Sequence, residues 1–282
     1  MTSKTNLPLK TIYSHGTVGL PMAVYGYPLA IWIPPHYAGT LGLDIATVGL
    51  ILMFARFTDV VTDPIIGELS DRWRTPIGRR KPWLLIGVPV MILGCFQLYS
   101  PSGEVGILYL LLWLTVFFLG ATMIMLPHRA WGAEMSTDYH QRSRITAARE
   151  FYYLTGLLFA AMVPMVIEIM NDGGVGVSEV FGKMWTDAMG VFTGDIMNAT
   201  PTDRSALTGP VLTALAWSIA FLLPAAAMVC LIFVKEPEKQ ITEARVPLKE
   251  GIAAILRNGP MKRILLIVLL VHFGEIGSAR VN

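Results

Sequence analysis

Arg56, Asp59 and Asp63 stand three and four residues apart inside a long apolar run. At about 100° per residue of an α-helix, the three side chains fall within roughly 60° of one another and share a face. A charged side chain at mid-bilayer costs about 2.5–3.5 kcal/mol on insertion scales. Three on one helix must therefore face a bundle interior or water. Arg56 can neutralise one carboxylate, which leaves the face net negative. Surplus carboxylate and hydroxyl oxygens in such a cavity attract a small hard cation or hold a proton. The plainer reading is an ion pair that locks this helix to a neighbour, but one pair needs only one carboxylate.

A second set lies further along. One apolar run carries Thr122, His128 and Arg129 and ends at Glu134 and Asp138. The next opens with Arg144, Arg149 and Glu150. Arg129 and Arg149 have two readings: substrate contacts, or ties that hold helix ends together through Glu134 and Asp138. His128 reads as a packed or snorkelling side chain, and Glu168 as an interface residue. The first apolar run is broken by Pro21, Pro28, Pro34 and Pro35 together with Gly16, Gly19 and Gly26. Broken backbone at membrane depth is tolerated where it is buried or lines a cavity, so this run is a candidate wall of a path. Tyr25, Tyr27 and Trp32 on it either stack on a ligand or pack in the core.

The elements that position these residues follow from composition. Hydrophobic residues make up 54% of the 282, charged residues 15%, and the mean hydropathy is +0.56. A soluble chain carries roughly 25% charge. Apolar runs at 14–37, 45–70, 83–100, 106–133, 145–170 and 209–234 are each near or above the length of a membrane span. A seventh begins at Ile264. The expected fold is an all-α polytopic membrane helix bundle: six transmembrane helices over 1–234, a cytoplasmic linker over 235–262 and the start of a seventh helix over 263–282. Residues 274–282 are too short and too polar to finish that span, so the chain reads as a truncated half whose partner six-helix half is missing.

Lys and Arg orient the set. Arg72, Arg74, Arg79, Arg80 and Lys81 follow span two, Arg142 and Arg144 follow span four, and Lys235 opens a basic stretch after span six. The intervening short loops near 38–44 and 101–105 have none. The positive-inside rule places the N-terminus in the cytoplasm. The Gly-rich 171–208 loop reads as an outer lid of short helices, with a weak glycosylation pattern at Asn198. Leu248, Ile252, Ile255 and Leu256 outline an amphipathic helix on the membrane surface. Cys95 and Cys230 lie in apolar runs without metal or redox spacing, and read as packing residues. No cleavable signal is visible. A net charge of +2 gives no reason to invoke nucleic acid.

Gly67-Glu68-Leu69-Ser70-Asp71-Arg72, followed by Gly78-Arg79-Arg80-Lys81, resembles the motif that major facilitator proteins carry between their second and third spans. More narrowly, Arg56-Phe57-Thr58-Asp59, Thr62-Asp63-Pro64 and Gly78 through Trp83 resemble the glycoside–pentoside–hexuronide:cation symporters, the family of melibiose permease. So do Pro127 through Glu134 and Asp138-Tyr139 with Arg142-Ser143-Arg144. The resemblance covers most of residues 10–275. It implies a transporter that couples a cation, Na⁺ or H⁺, to a sugar or glycoside, in the inner membrane and with no other cofactor. It implies that Asp59 and Asp63 are cation-site carboxylates, with Thr62 and Thr122 completing the site. Arg149, Tyr25 and Arg129 are the candidate solute contacts. Gly67, Asp71, Arg72, Gly78, Arg79 and Arg80 form the conformational motif.

The departures matter as much. Pro21 and Met125 stand where melibiose permease has sugar-binding aspartates, and Arg149 fits that family's span-five arginine only with a one-residue offset. The symporter frame is therefore expected and galactoside binding is not. Loss of one ligand charge at Met125 implies weaker Na⁺ selectivity and leaves the proton as a working ion. The rival transporter reading is a lysophospholipid or other amphiphile. An enzyme finds no support, since no HExxH, no GxSxG and no pair of intramembrane aspartates on two helices is present. Nor is there a filter-like loop of the kind a channel needs.

Overall fold

Apolar runs of this length have no water to satisfy their backbone in a bilayer, and the helix is the local answer. The computed structural model describes residues 7–171, 201–237, 257–263 and 266–267. The elements are α1 (Leu9–Gly16), α2 (Gly19–Ile31), α3 (Ile33–Pro35), a π-helical turn (His36–Thr40), α4 (Ile45–Arg72), α5 (Lys81–Tyr99), α6 (Ile107–Glu134), α7 (Tyr139–Asn171) and α8 (Pro201–Phe233). Among the described residues there is no strand, only a bridge between Thr75 and Gly78. The fold is the expected all-α polytopic membrane bundle.

Five of these helices are long and apolar enough to cross a membrane: α4, α5, α6, and the stretches Tyr139–Ile167 and Thr208–Phe233 of α7 and α8. The first expected span differs. It starts earlier, at Leu9, runs to Thr40, and is divided into α1, α2, α3 and the π turn. At the second break Pro34 and Pro35 contribute no backbone donor, whereas the first falls at Thr17-Val18, where no proline stands. Thr17 covers part of the first break, donating its hydroxyl to the Ser14 carbonyl at 2.8 Å and the Ala226 carbonyl at 3.2 Å. At the second, the Leu41 amide reaches back to the His36 carbonyl at 3.1 Å, the wide spacing of a π turn.

Two other boundaries shift. Helix α7 begins six residues before the expected 145. Helix α8 begins at Pro201, inside the expected 171–208 loop. The rest of that lid, residues 172–200, lies outside the described residues, as do the amphipathic pattern at 248–256 and most of the seventh run. The second compact unit contributes only a short helical piece, where the Asn258 side chain accepts from the Met261 amide at 3.2 Å as an N-cap.

Within the bundle α5 packs on α6 and α8, α4 on α6, and α2 on α7 and α8. A core runs through these contacts from Val18 and Met22 to Leu223 and Cys230; both cysteines are buried and free. Gly156 lets α7 close onto α2: a Cβ there would overlap the Leu20 carbonyl. That approach brings Arg149 and Tyr153 beside the broken first helix. The turn after α4, the α6–α7 turn and the residues after α8 meet at one end of the bundle, joined by contacts of Arg79 with Glu134 and Glu236.

Candidate ion and solute site

The face of α4 that meets α6 is a stripe at three- and four-residue intervals: Val48, Ile51, Ala55, Ile66 and Ser70 are its buried members. Asp59 and Thr62 fall on the same stripe and interrupt it with oxygen. Buried polar atoms in native proteins nearly always have a partner. Here the Asp59 Oδ1 and the Thr62 Oγ1 are buried and make no hydrogen bond. One turn on, Asp63 accepts a hydrogen bond from the Thr122 hydroxyl of α6 at 3.0 Å. The four residues assigned to a cation site by resemblance thus line one seam between two helices. They offer two carboxylates and two hydroxyls, an oxygen set suited to a hard monovalent cation or a proton. Among the described residues no cluster of three or more His, Cys, Asp or Glu has metal-holding geometry.

Arg56 lies 3.6 Å from Asp59 and its guanidinium covers the Phe118 ring at 4.4 Å. It neutralises Asp59 from the rim and remains largely exposed, while Asp63 has no ion pair among the described residues. Tyr25 points to the same region. Its hydroxyl contacts the Met125 sulfur at 3.6 Å, and its ring sits edge-on to Phe117. The Tyr27 side chain lies outside the described residues, and Trp32 packs against the core.

Arg149 bonds its neighbour Glu150 at 2.7 Å. Arg129 is exposed and makes no ion pair or hydrogen bond among the described residues. The described pairs of Glu134 and Asp138 do not include these arginines. Glu134 takes Arg79 at 2.6 Å and Arg80 at 2.9 Å, and Asp138 caps α7 by accepting from the amides of His140 and Gln141. His128 is buried and stacked on His15, ring centroids 4.0 Å apart. The Nε2 of each ring lies within hydrogen-bond distance of the other's backbone carbonyl, at 3.2 and 2.9 Å. His15 had no place in the sequence reading, because nothing in its spacing announces a partner on another helix.

The motif at the end of the bundle is a second constellation. Arg80 donates to the Ser70 hydroxyl at 2.7 Å, to Asp71 and to Glu134. Glu236, just after α8, accepts the backbone N–H groups of both Arg79 and Arg80 at 2.9–3.0 Å. Those amides open α5, where a carboxylate is also favoured by the helix dipole. Gly78, at φ +124, must be glycine, since a Cβ would run into the Glu236 carboxylate. Gly67 faces Leu126 across α4 and α6. Arg72 stands apart, paired with Glu68 on the exposed side of α4. Glu236 was missed in the sequence; its one signal is an acid directly after a span in the otherwise basic Lys235-Glu236-Pro237.

The chain is thus a polytopic membrane helix bundle with an oxygen-lined seam at mid-helix and a charged network at one end. The chain belongs to the MFS/sugar transport protein family, whose profile it matches over residues 14–279. It is 28% identical over 181 residues to the inner membrane symporter YicJ of Escherichia coli, covering 60% of this chain and 39% of that one. It is 29% identical over 153 residues to the putative glycoside/cation symporter YagG of the same organism, covering 52% and 33%. It is also 23% identical over 270 residues to the mouse sodium-dependent lysophosphatidylcholine symporter 1, covering 91% and 48%. The chain spans between about a third and a half of the length of these relatives.

Proposed function

We propose that this chain forms part of a secondary transporter that couples Na⁺ or H⁺ to uptake of a sugar or glycoside-type solute. The observation that carries the reading is the pair of orphaned buried oxygens, on Asp59 and Thr62, beside the Asp63–Thr122 bond. An unsatisfied carboxylate oxygen at membrane depth costs free energy unless a cation or proton completes it. Solute then binds on the adjoining surface of Tyr25, Arg129 and Arg149. The end network of Arg79, Arg80, Asp71 and Glu134 holds the helix ends in one of the states that alternate during transport. The test is uptake by the protein in cells with imposed Na⁺ and H⁺ gradients. Asp59→Cys and Asp63→Cys are expected to insert normally and to lose cation-stimulated uptake. Unchanged ion dependence in both variants contradicts the assignment.

The membrane is the inner membrane, with the N-terminus cytoplasmic. Supporting this, the Arg- and Lys-bearing loops meet at one end of the bundle. Single cysteines in the 72–82 loop are expected to label only from the cytoplasmic side; labelling only from outside reverses the orientation.

A second reading, transport of a lysophospholipid, draws on a specific feature. Met125 and the buried Pro21 stand at the positions where melibiose permease has sugar-binding aspartates, and Tyr25 spends its hydroxyl on the Met125 sulfur. Competition between radiolabelled sugars and lysolipids, with and without Na⁺, separates the two readings.

A further inference from the structure

Two faces of α7 carry arginine. Arg149 lies against the first helix, where a Cβ on Gly19 would meet its carbonyl and its Cγ. Arg144 stands five residues earlier, about 140° away around the helix. On that other face α1 and α7 leave a groove of about 310 Å³ between them. Its walls are Leu9, Ile12 and Tyr13 of α1 and Arg144, Ala147 and Phe151 of α7.

The polar groups of the groove are uncommitted. Arg144 is exposed and makes no ion pair or hydrogen bond among the described residues, and neither does the Tyr13 hydroxyl. The cations around them are engaged: Arg142 donates to the Ser136 carbonyl at 2.7 Å, and Lys10 lies over the Phe233 ring at 3.9 Å. Inward from Arg144 the same face of α7 turns apolar. Phe151, Leu154 and Leu158 fall within about 80° of it, and all three are exposed. From Arg144 to Leu154 the helix rises about 15 Å, half of the roughly 30 Å hydrocarbon core.

A free guanidinium with an apolar track one leaflet deep beneath it selects its occupant. A soluble anion would pair Arg144 and leave the track bare. A neutral lipid would cover the track and leave the guanidinium unpaired. A phosphate fits the planar fork with two hydrogen bonds, and basic pockets between spans suit anionic headgroups. We propose that this groove binds an anionic phospholipid of the surrounding bilayer, with its phosphate on Arg144 and the Tyr13 hydroxyl and one acyl chain along Phe151, Leu154 and Leu158. The lipid sits on the opposite side of α7 from Arg149, so it is a resident of the bundle surface and not the carried solute. It splints α1 to α7 next to the break at Thr17, and it makes no demand on the ion seam.

The test is native mass spectrometry of the purified, delipidated protein. It is titrated with dioleoyl-phosphatidylglycerol or dioleoyl-phosphatidylcholine, which share their chains and differ in net charge. The wild type is expected to hold phosphatidylglycerol about 5- to 20-fold more tightly. Arg144→Gln is expected to remove that preference and Arg144→Lys to keep part of it. Ala147→Trp, which fills the groove and spares the charge, is expected to weaken phosphatidylglycerol binding, while Arg142→Gln leaves it unchanged. Phosphatidylglycerol bearing a photoreactive diazirine on one chain is expected to label α7 between Phe151 and Leu158. Equal retention of the two lipids by the wild type overturns the proposal. So does an equal loss in Arg144→Gln and Arg142→Gln, which would mark a diffuse surface charge, and so does labelling confined to other helices.

Discussion

The seam between α4 and α6 and the network at the end of the bundle use the same residue types in opposite ways. At the end, Arg79, Arg80, Ser70, Asp71, Glu134 and Glu236 satisfy one another, and only the Arg80 Nε is buried without a partner. In the seam, two oxygens within one turn of each other are left bare. A satisfied buried network rigidifies, whereas an unsatisfied one is stable only when something else completes it. The first arrangement suits a latch that holds helices, and the second suits a seat for an ion that comes and goes.

That contrast breaks most visibly at Glu236. Replacing it with alanine strips four backbone contacts from the start of α5 and leaves Arg79 with Glu134 alone. A loss of about 2–4 kcal/mol in unfolding free energy is expected, read by thermal or detergent denaturation. The seam responds differently. Thr122→Val removes the hydroxyl that Asp63 accepts. It is expected to weaken coupling-ion affinity about 10-fold, with less effect on stability than the Glu236 change. Ion titration and denaturation of the same sample check both halves of this expectation. The smallest effect belongs to Arg72→Gln. Arg72 and Glu68 are more than half exposed, at 57% and 60%, and an exposed i,i+4 pair contributes below about 0.5 kcal/mol. A large loss of stability in Arg72→Gln would place Arg72 inside the latch after all.

Spans two to six were legible because hydropathy over twenty residues is a strong signal in a chain with so little charge. The interruptions of the first were legible only in outline. Pro21, Pro28, Pro34 and Pro35 announce breaks, but not that Thr17 would cover one carbonyl or that a π turn would absorb another. The early start of α8 was hidden because Pro201 and the polar residues after it resemble a loop, although proline fits the first turn of a helix well.

The site was half legible. Spacing alone put Arg56, Asp59 and Asp63 on one face. Thr62 and Thr122 came only from resemblance, since a bond between residues 63 and 122 leaves no mark in either segment. Glu236 and the His15–His128 pair left still less. Their partners are 113 or more residues away in sequence, and only the packing of helices brings them together. That Arg129 has no partner among the described residues is likewise a property of packing. Glu134, five residues further along α6 and so on another face, is engaged by the arginines that open α5.

Ion binding itself tests the seam most directly. Purified protein is titrated with Na⁺ at high pH and, separately, with protons using an indicator dye, in the wild type and in Asp59→Asn and Asp63→Asn. The expected result is one saturable site for Na⁺ or for a proton in the wild type, lost in both variants while the helical content and the stability of the end network are retained. Equal ion binding in the wild type and both variants would contradict the assignment of the bare oxygens to the coupling ion.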